Sequence, residues 1–385
     1  MKIAIIHEML IKLGGAERVL LEIMKMYPEA DIYTLMYDAN KVGTVFPPER
    51  IRCDTPAQTL YRLTGKPRLS LPLMPASIKK IDLTRYDLVI SSSSGFAHGA
   101  FTLGKTKHIC YCHSPARYLW DWSDEVQREI GVKPDPNKKN TPLDTIKQSL
   151  GGPIVTTLLN RLRSWDSEAA KRPDIYIANS REVQDRIKKY YERDSVVLWP
   201  PVDTSRFTPG VIPTSTRKYY IMTTALTPFK RVDIAVRVLS KLGKNLKIIG
   251  AGDQEAELRK LAWPTIEFLG RIDDTEVAKV YQAARGFLMP QKEDAGIAPI
   301  EALAAGIPAL WQGKGGLLEV NIDGVTGRFF PEETDESFEQ WFLSFDAEIT
   351  AGNYDNSMLL VERAKAFDAE KFRAGFAEVV KQVNS

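Results

Sequence analysis

Short apolar, β-rich runs alternate with helix-like stretches along this chain, in two series parted by a proline-rich break. The first series contains KIAIIH, ADIYTLMY, YDLVISSS, HICYCHS, DIYIANS and SVVLW, most of them followed by a segment of helical period. Strands that alternate with helices predict a parallel sheet with helices on both faces. Near residue 200, WPPVDTSRFTPG has neither helical nor strand period and reads as a linker. A second series follows: YYIMTTAL, LKIIGAG, IEFLG, RGFLMP and PALWQ, separated by helices such as RVDIAVRVLSKLG, whose Val232, Ala235, Leu239 and Leu242 share one face. At 385 residues the chain exceeds one ordinary core, so two doubly wound α/β domains are expected, over residues 1–199 and 200–357. The tail from Ser357 to Val383 has Phe372, Phe376, Val379 and Val383 at helical spacing and reads as one amphipathic helix. Residues 131–153, polar and rich in Pro and Gly, read as a loop.

Composition narrows the class. With 44% hydrophobic and 26% charged residues the chain is globular rather than disordered. Three cysteines are too few for a disulfide framework and suit a reducing compartment. Cys110 and Cys112 fall in HICYC and read as core strand residues, pointing to opposite faces of a sheet, rather than as metal or redox groups. The N-terminal apolar run soon meets Glu8 and Lys12 and lacks the long apolar core of a signal peptide, and no stretch reaches the ~20 apolar residues that cross a bilayer. A cytoplasmic protein is expected, with no nucleic-acid partner. Charge is uneven: the first 200 residues carry 30 Lys/Arg against 23 Asp/Glu. Between Arg50 and Arg85, eight basic residues face two acidic ones among Leu60, Tyr61, Leu63, Leu69, Leu71, Leu73 and Met74. That stretch suits an anionic membrane surface, a lipid-linked phosphate, or equally a solvated face packed on its domain.

Four segments could carry chemistry. KEDAGIAPIEALAAGIPAL puts Glu293 in a loop after a strand, Gly296 at the turn, and Glu301 in the second turn of a helix with Pro299 in its first turn. The free amides at such a helix start suit a pyrophosphate, and flanking carboxylates suit sugar hydroxyls. TTALTPFKRVDIAV sets Lys230 and Arg231 where a helix begins; two cations there oppose the helix dipole, a conflict that a bound polyanion would resolve. Gly14 and Gly15 follow the first strand and permit positive φ or close approach to a ligand. His113 ends HICYC at the carboxyl edge of the first sheet, where ligands of open α/β sheets bind, and its imidazole could donate to a sugar hydroxyl or stabilise charge. Each segment alone also reads as ordinary surface or packing. G-x-S-x-G and H-E-x-x-H are absent, which disfavours a serine hydrolase and a zinc protease, and no metal site is read.

Taken in order, GGAERVL, YDLVISSSSGFAHGA, YCHSPARYLWD, IANSREVQDRI, PPVDTSRF, TPFKRVDIAV, FLGRIDD and the Glu-x7-Glu element Glu293 to Glu301 resemble retaining glycosyltransferase family 4. Within that family the chain is most similar to bacterial GDP-mannose-dependent mannosyltransferases of surface polysaccharide (O-antigen) synthesis. The resemblance implies the GT-B fold, with two Rossmann-like domains facing across a cleft, the first binding acceptor and the second donor. It also implies that the C-terminal helix, about 358–385, packs back on the first domain. By the same resemblance Lys230 binds the donor pyrophosphate with Arg231 assisting, Glu301 accepts the ribose hydroxyls, and Glu293 touches the transferred sugar. The amides of Gly296, Ile297 and Ala298 meet phosphate or sugar, Gly14 and Gly15 close over the donor, and His113 lies beside the sugar. His113, Glu293 and Lys230 are the implied catalytic residues, and no cofactor or metal is implied beyond the nucleotide-sugar donor. The acceptor would be a carbohydrate or lipid-linked glycan, on the cytoplasmic face of the inner membrane.

Two positions depart from the family pattern. Ala225 stands where an arginine is usual five residues before the lysine, and Ala295 where an aromatic is often found. Loss of one guanidinium removes a charge-assisted bond to the diphosphate. A GT-B epimerase or phosphorylase, or a catalytically silent sugar-nucleotide binder, shares the same residues.

Overall fold

The structure is a computed structural model that describes residues 1–121 and 142–384, with backbone only over 142–155 and at 384. The chain divides into two compact units, Met1–Leu198 with Arg373–Ser385, and Trp199–Phe372.

In the first unit seven parallel strands lie in the order β3-β2-β1-β4-β5-β6-β7. They are β1 Ile3–Leu10, β2 Asp31–Tyr37, β3 Ile51–Arg52, β4 Leu88–Ser93, β5 Lys107–Cys112, β6 Ile175–Ala178 and β7 Ser195–Val197. In the second, six parallel strands take the order β10-β9-β8-β11-β12-β13. These are β8 Tyr219–Thr223, β9 Asn245–Ile249, β10 Ile266–Gly270, β11 Gly286–Met289, β12 Ala309–Gln312 and β13 Gly327–Phe330. Both sheets are thus of the doubly wound α/β kind.

Side-chain alternation builds a core on each face of the second sheet. Ile221, Phe287, Met289, Ala309 and Trp311 join one cluster, while their strand neighbours Tyr220, Met222, Leu288 and Leu310 join the other. The same rule corrects one expectation. Cys110 and Cys112, two residues apart on β5, share a face and sit in one cluster with Tyr176 and Ala178; both thiols are free and buried.

Three further differences have local causes. The tail is two helices, Ser357–Lys365 and Ala369–Asn384. Between them the backbone pairs with Val202, whose N–H donates to Phe367 O at 3.2 Å and whose carbonyl accepts from Ala369 N at 3.0 Å. The first of these helices buries Leu360 and Ala364 in the core of the second unit; the second carries Arg373, which binds Glu22 at 2.9 Å in the first. Of the expected loop 131–153, residues 131–141 lie outside the described residues, and the remainder opens the helix Pro142–Ala169. Strands β3 and β13 have no counterpart in the sequence reading, because two residues and the short run GRFF show no period to detect.

Candidate active site

The order of the second sheet reverses between β8 and β11. Loops leaving adjacent parallel strands at such a reversal diverge and open a crevice at the carboxyl edge. Lys230 ends the loop after β8, in the turn Pro228–Lys230, and Glu293 lies in the loop after β11. The fold brings them together: Lys230 Nζ is ion-paired with Glu293 Oε1, which also accepts from Gln291 Nε2 at 3.1 Å. The loop after β12 holds the Glu293 backbone, since Gly316 N donates to Glu293 O at 2.9 Å. Gly315 makes this approach possible; its φ is +81°, and a Cβ there would stand 2.3 Å from the Glu293 carbonyl oxygen.

Arg231 takes a left-handed conformation, φ 46° and ψ 34°, at the N-cap of the helix Val232–Lys241. Its guanidinium lies 3.5 Å from Glu333 and 3.4 Å from Asp233, and Glu333 also accepts from Lys292 N at 3.2 Å. The helix-start conflict raised by the sequence is therefore resolved inside the protein: Glu293, Glu333 and Asp233 neutralise the two cations, and no polyanion is needed to explain them. A ligand diphosphate would instead compete with carboxylates already in place.

Gly296 is the N-cap of the helix Ile297–Ala304, and no side chain caps it, so the first amides, those of Ile297 and Ala298 included, are not closed off by a capping residue. Glu301 in the second turn is only 4% exposed. A buried carboxylate in the apolar sequence IAPIEALA costs too much desolvation to be incidental surface charge. Ala225 is exposed in the loop after β8.

In the first unit the sheet order reverses between β1 and β4. Gly14, at φ −152° and ψ −163°, is the N-cap of the helix Gly15–Met26. Neither glycine has positive φ; what Gly14 supplies is room, because a Cβ would lie 3.1 Å from Glu17 Oε2. Glu17 is buried and meets His7 Nε2 at 3.5 Å. Burial opposes its charge, yet the hydrogen bond and charge of His7, together with the Glu17 backbone amide and Lys12, outweigh that cost and hold its pKa below the usual carboxylate value. His7 Nδ1 lies 3.0 Å from Ser92 Oγ, and Ser92 Oγ lies 2.8 Å from His113 Nε2. Burial, reinforced by His7 and opposed by Glu17, pushes the His113 pKa down to about 3, so its imidazole is neutral. Sequence reasoning left His7, Ser92 and Glu333 unnamed and gave Glu17 no role. The one local hint was polar residues at the carboxyl ends of otherwise apolar strands.

Two family models cover most of the chain: residues 13–206 match Glycosyltransferase Family 4, and residues 208–345 match Glycosyl transferases group 1. The chain belongs to glycosyltransferase family 4. This glycosyltransferase is 24% identical over 289 residues to D-rhamnosyltransferase WbpZ of Pseudomonas aeruginosa, covering 70% of this chain and 73% of that one. It is similar to the structure of Anabaena Alr3699/HepE in complex with UDP, with a TM-score of 0.71 and 15% identity over 99% of this chain and 100% of the other. Sucrose-phosphate synthase from Thermosynechococcus elongatus gives a TM-score of 0.72 at 16% identity, covering 99% of each chain. With its two Rossmann-like parallel sheets, the family 4 enzyme has the GT-B fold.

Proposed function

We propose that this glycosyltransferase moves mannose from GDP-mannose, with retention of the α-configuration, onto a carbohydrate or lipid-linked oligosaccharide in bacterial surface polysaccharide synthesis. The observation that carries this reading is the Lys230–Glu293 pair at the reversal between β8 and β11. A donor exchanges that pair for two better-matched contacts: its diphosphate takes the Lys230 ammonium, and a hydroxyl of its sugar donates to Glu293. Lys230 then stabilises the charge that develops on the leaving nucleoside diphosphate, with Arg231 and the amides of Gly296, Ile297 and Ala298 beside it. Glu301 accepts the ribose hydroxyls. Gly14, Gly15 and His113 serve the sugar from the N-terminal unit, which also takes the acceptor.

A manno-configured sugar is supported by the relative named a D-rhamnosyltransferase, because D-rhamnose is 6-deoxymannose. Structures of HepE hold UDP and UDP-glucose, which makes a uracil base the competing choice. The test is a panel of GDP-, UDP- and dTDP-sugars, read by thermal shift and by turnover onto an acceptor. GDP-mannose should give the largest shift and an α-linked product; transfer from a UDP-sugar alone would overturn the donor assignment. Hydrolysis or epimerisation without transfer would point to the other GT-B classes.

Glu301→Ala should weaken nucleotide binding by about 2 kcal/mol, the usual cost of losing a charge-assisted hydrogen bond. Calorimetry with GDP checks this, and an unchanged affinity would reject the ribose role.

Among the described residues no helix is long and apolar enough to cross a membrane. Tyr61 and Met74 are buried in the core, but Leu63 is 80% and Leu69 52% exposed, beside exposed Arg62, Lys66 and Arg68. These five residues form the patch that would rest on an anionic cytoplasmic leaflet, with about 1 kcal/mol from each cation. The protein should co-sediment with phosphatidylglycerol vesicles at low salt and less so after Leu63→Ser with Leu69→Ser; equal sedimentation of the two would remove the membrane role.

A further inference from the structure

One side chain ties together the two loops that carry the Lys230–Glu293 pair. Glu333 stands in the short connection between β13 and the helix Asp335–Thr350. Its Oε1 accepts from the amide of Lys292, the residue before Glu293, at 3.2 Å. Its Oε2 lies 3.5 Å from Nη1 of Arg231, the residue after Lys230, and its backbone carbonyl accepts from the same Nη1 at 3.3 Å. The other carboxylate on Arg231 is shared: Asp233 also accepts from Arg237 at 2.9 Å, while Arg237 makes two further bonds, of 2.6 and 2.7 Å, to Asp335. Two guanidiniums are thus set against three carboxylates, an excess of negative charge that works against any anion bound there. The Arg231 and Glu333 side chains are 29% and 31% exposed, so a ligand can reach them. An ion pair this open and this long stabilises little and is readily exchanged.

We propose that Glu333 is a positioning residue that works as a latch: its carboxylate restrains Arg231 and competes with a ligand diphosphate for the guanidinium, so that removing the Glu333 charge tightens diphosphate binding. When a diphosphate takes Arg231, Glu333 keeps the Lys292 amide, and the loop beside Glu293 stays tied while the cation changes partner. Such a restraint weakens the hold on the donor and on the leaving nucleoside diphosphate alike, which favours release of the product. The inference rests on the reading that the diphosphate lies at Lys230, and the test separates the two.

The test is calorimetric titration of the full chain with GDP and with UDP, which share the diphosphate and differ in the base. Glu333→Gln keeps an acceptor for the Lys292 amide and removes only the charge; it should lower the Kd of whichever nucleotide binds by about fivefold, the order set by a partly exposed ion pair. A merely structural contact, once lost, gives no such gain. Glu332→Gln removes the same charge from the exposed neighbouring residue and should leave the Kd unchanged. Arg231→Gly removes the guanidinium and suits the left-handed backbone at φ 46°. In that background the gain from Glu333→Gln should fall below about twofold, because the two residues act as one unit. A Glu333→Gln protein that binds no tighter than wild type overturns the latch, as does an equal gain in the Arg231→Gly background or in Glu332→Gln. Lys230→Ala gives the separate arm. If it weakens binding while Glu333→Gln changes nothing, the latch alone falls; if it leaves binding unchanged, the diphosphate is not at Lys230 and the proposed site falls. Binding of neither nucleotide to any of these proteins overturns both.

Discussion

Lys230→Ala should lower kcat by about 10²–10³-fold, a loss of roughly 3–4 kcal/mol of transition-state stabilisation, as removal of one preorganised donor does elsewhere. The size follows from position: Lys230 ends a short turn after β8, and once the diphosphate has replaced Glu293 as its partner the ammonium already faces the charge that develops on the leaving group. Two effects must be separated. Removing the lysine leaves the Glu293 carboxylate, whose side chain is only 17% exposed, without its cation, and this could loosen the 291–296 loop. Thermal unfolding alongside steady-state kinetics distinguishes the cases, since lost electrostatics acts on kcat with the midpoint little moved. Near-normal turnover in a folded Lys230→Ala protein would reject the role given to this lysine.

The second large effect concerns stability. Glu8→Ala should destabilise the N-terminal unit by about 3 kcal/mol or more, because hydrogen bonds to a charged acceptor contribute roughly 1.5–3 kcal/mol and each buried donor left unmatched adds its own cost. Glu8 is 6% exposed. Its Oε1 accepts from Ser93 Oγ at 2.9 Å, Ser94 N at 2.9 Å, Gly95 N at 2.5 Å, Ala97 N at 3.1 Å and the Phe96 amide. The loop after β4 is thus folded around a carboxylate from β1. Glu8→Gln keeps an acceptor oxygen but loses the charge, and should fall between wild type and Glu8→Ala. Urea unfolding followed by tryptophan fluorescence provides the measurement; a midpoint in Glu8→Ala equal to wild type would show that the nest does not hold the unit together. The same geometry leaves the amides of Ser94, Gly95, Phe96 and Ala97, in the loop after β4, occupied by the protein's own carboxylate.

Part of the candidate site is legible in the sequence. Lys230, Glu293 and Glu301 stand out by residue type and by place relative to strand ends and helix starts, both of which are local. What escaped was the partner of each group. Arg231 reads from the sequence as one of two cations at a helix start, and its partner Glu333 lies about a hundred residues further on. His7 and Ser92 lie 85 residues apart, and only their direct register across β1 and β4 makes them neighbours.

The sequence by itself determined the class of fold and which polar residues stand at strand ends and helix starts, because hydrophobic period and turn chemistry depend on neighbours a few residues apart, and parallel sheets follow from strands that alternate with helices. Tertiary structure alone decided which strands are adjacent and where their order reverses. That choice converts scattered polar residues into the Lys230–Glu293 pair and the Glu17–His7–Ser92–His113 chain, since hydrogen bonds and ion pairs act over ångströms in space whatever the distance along the chain.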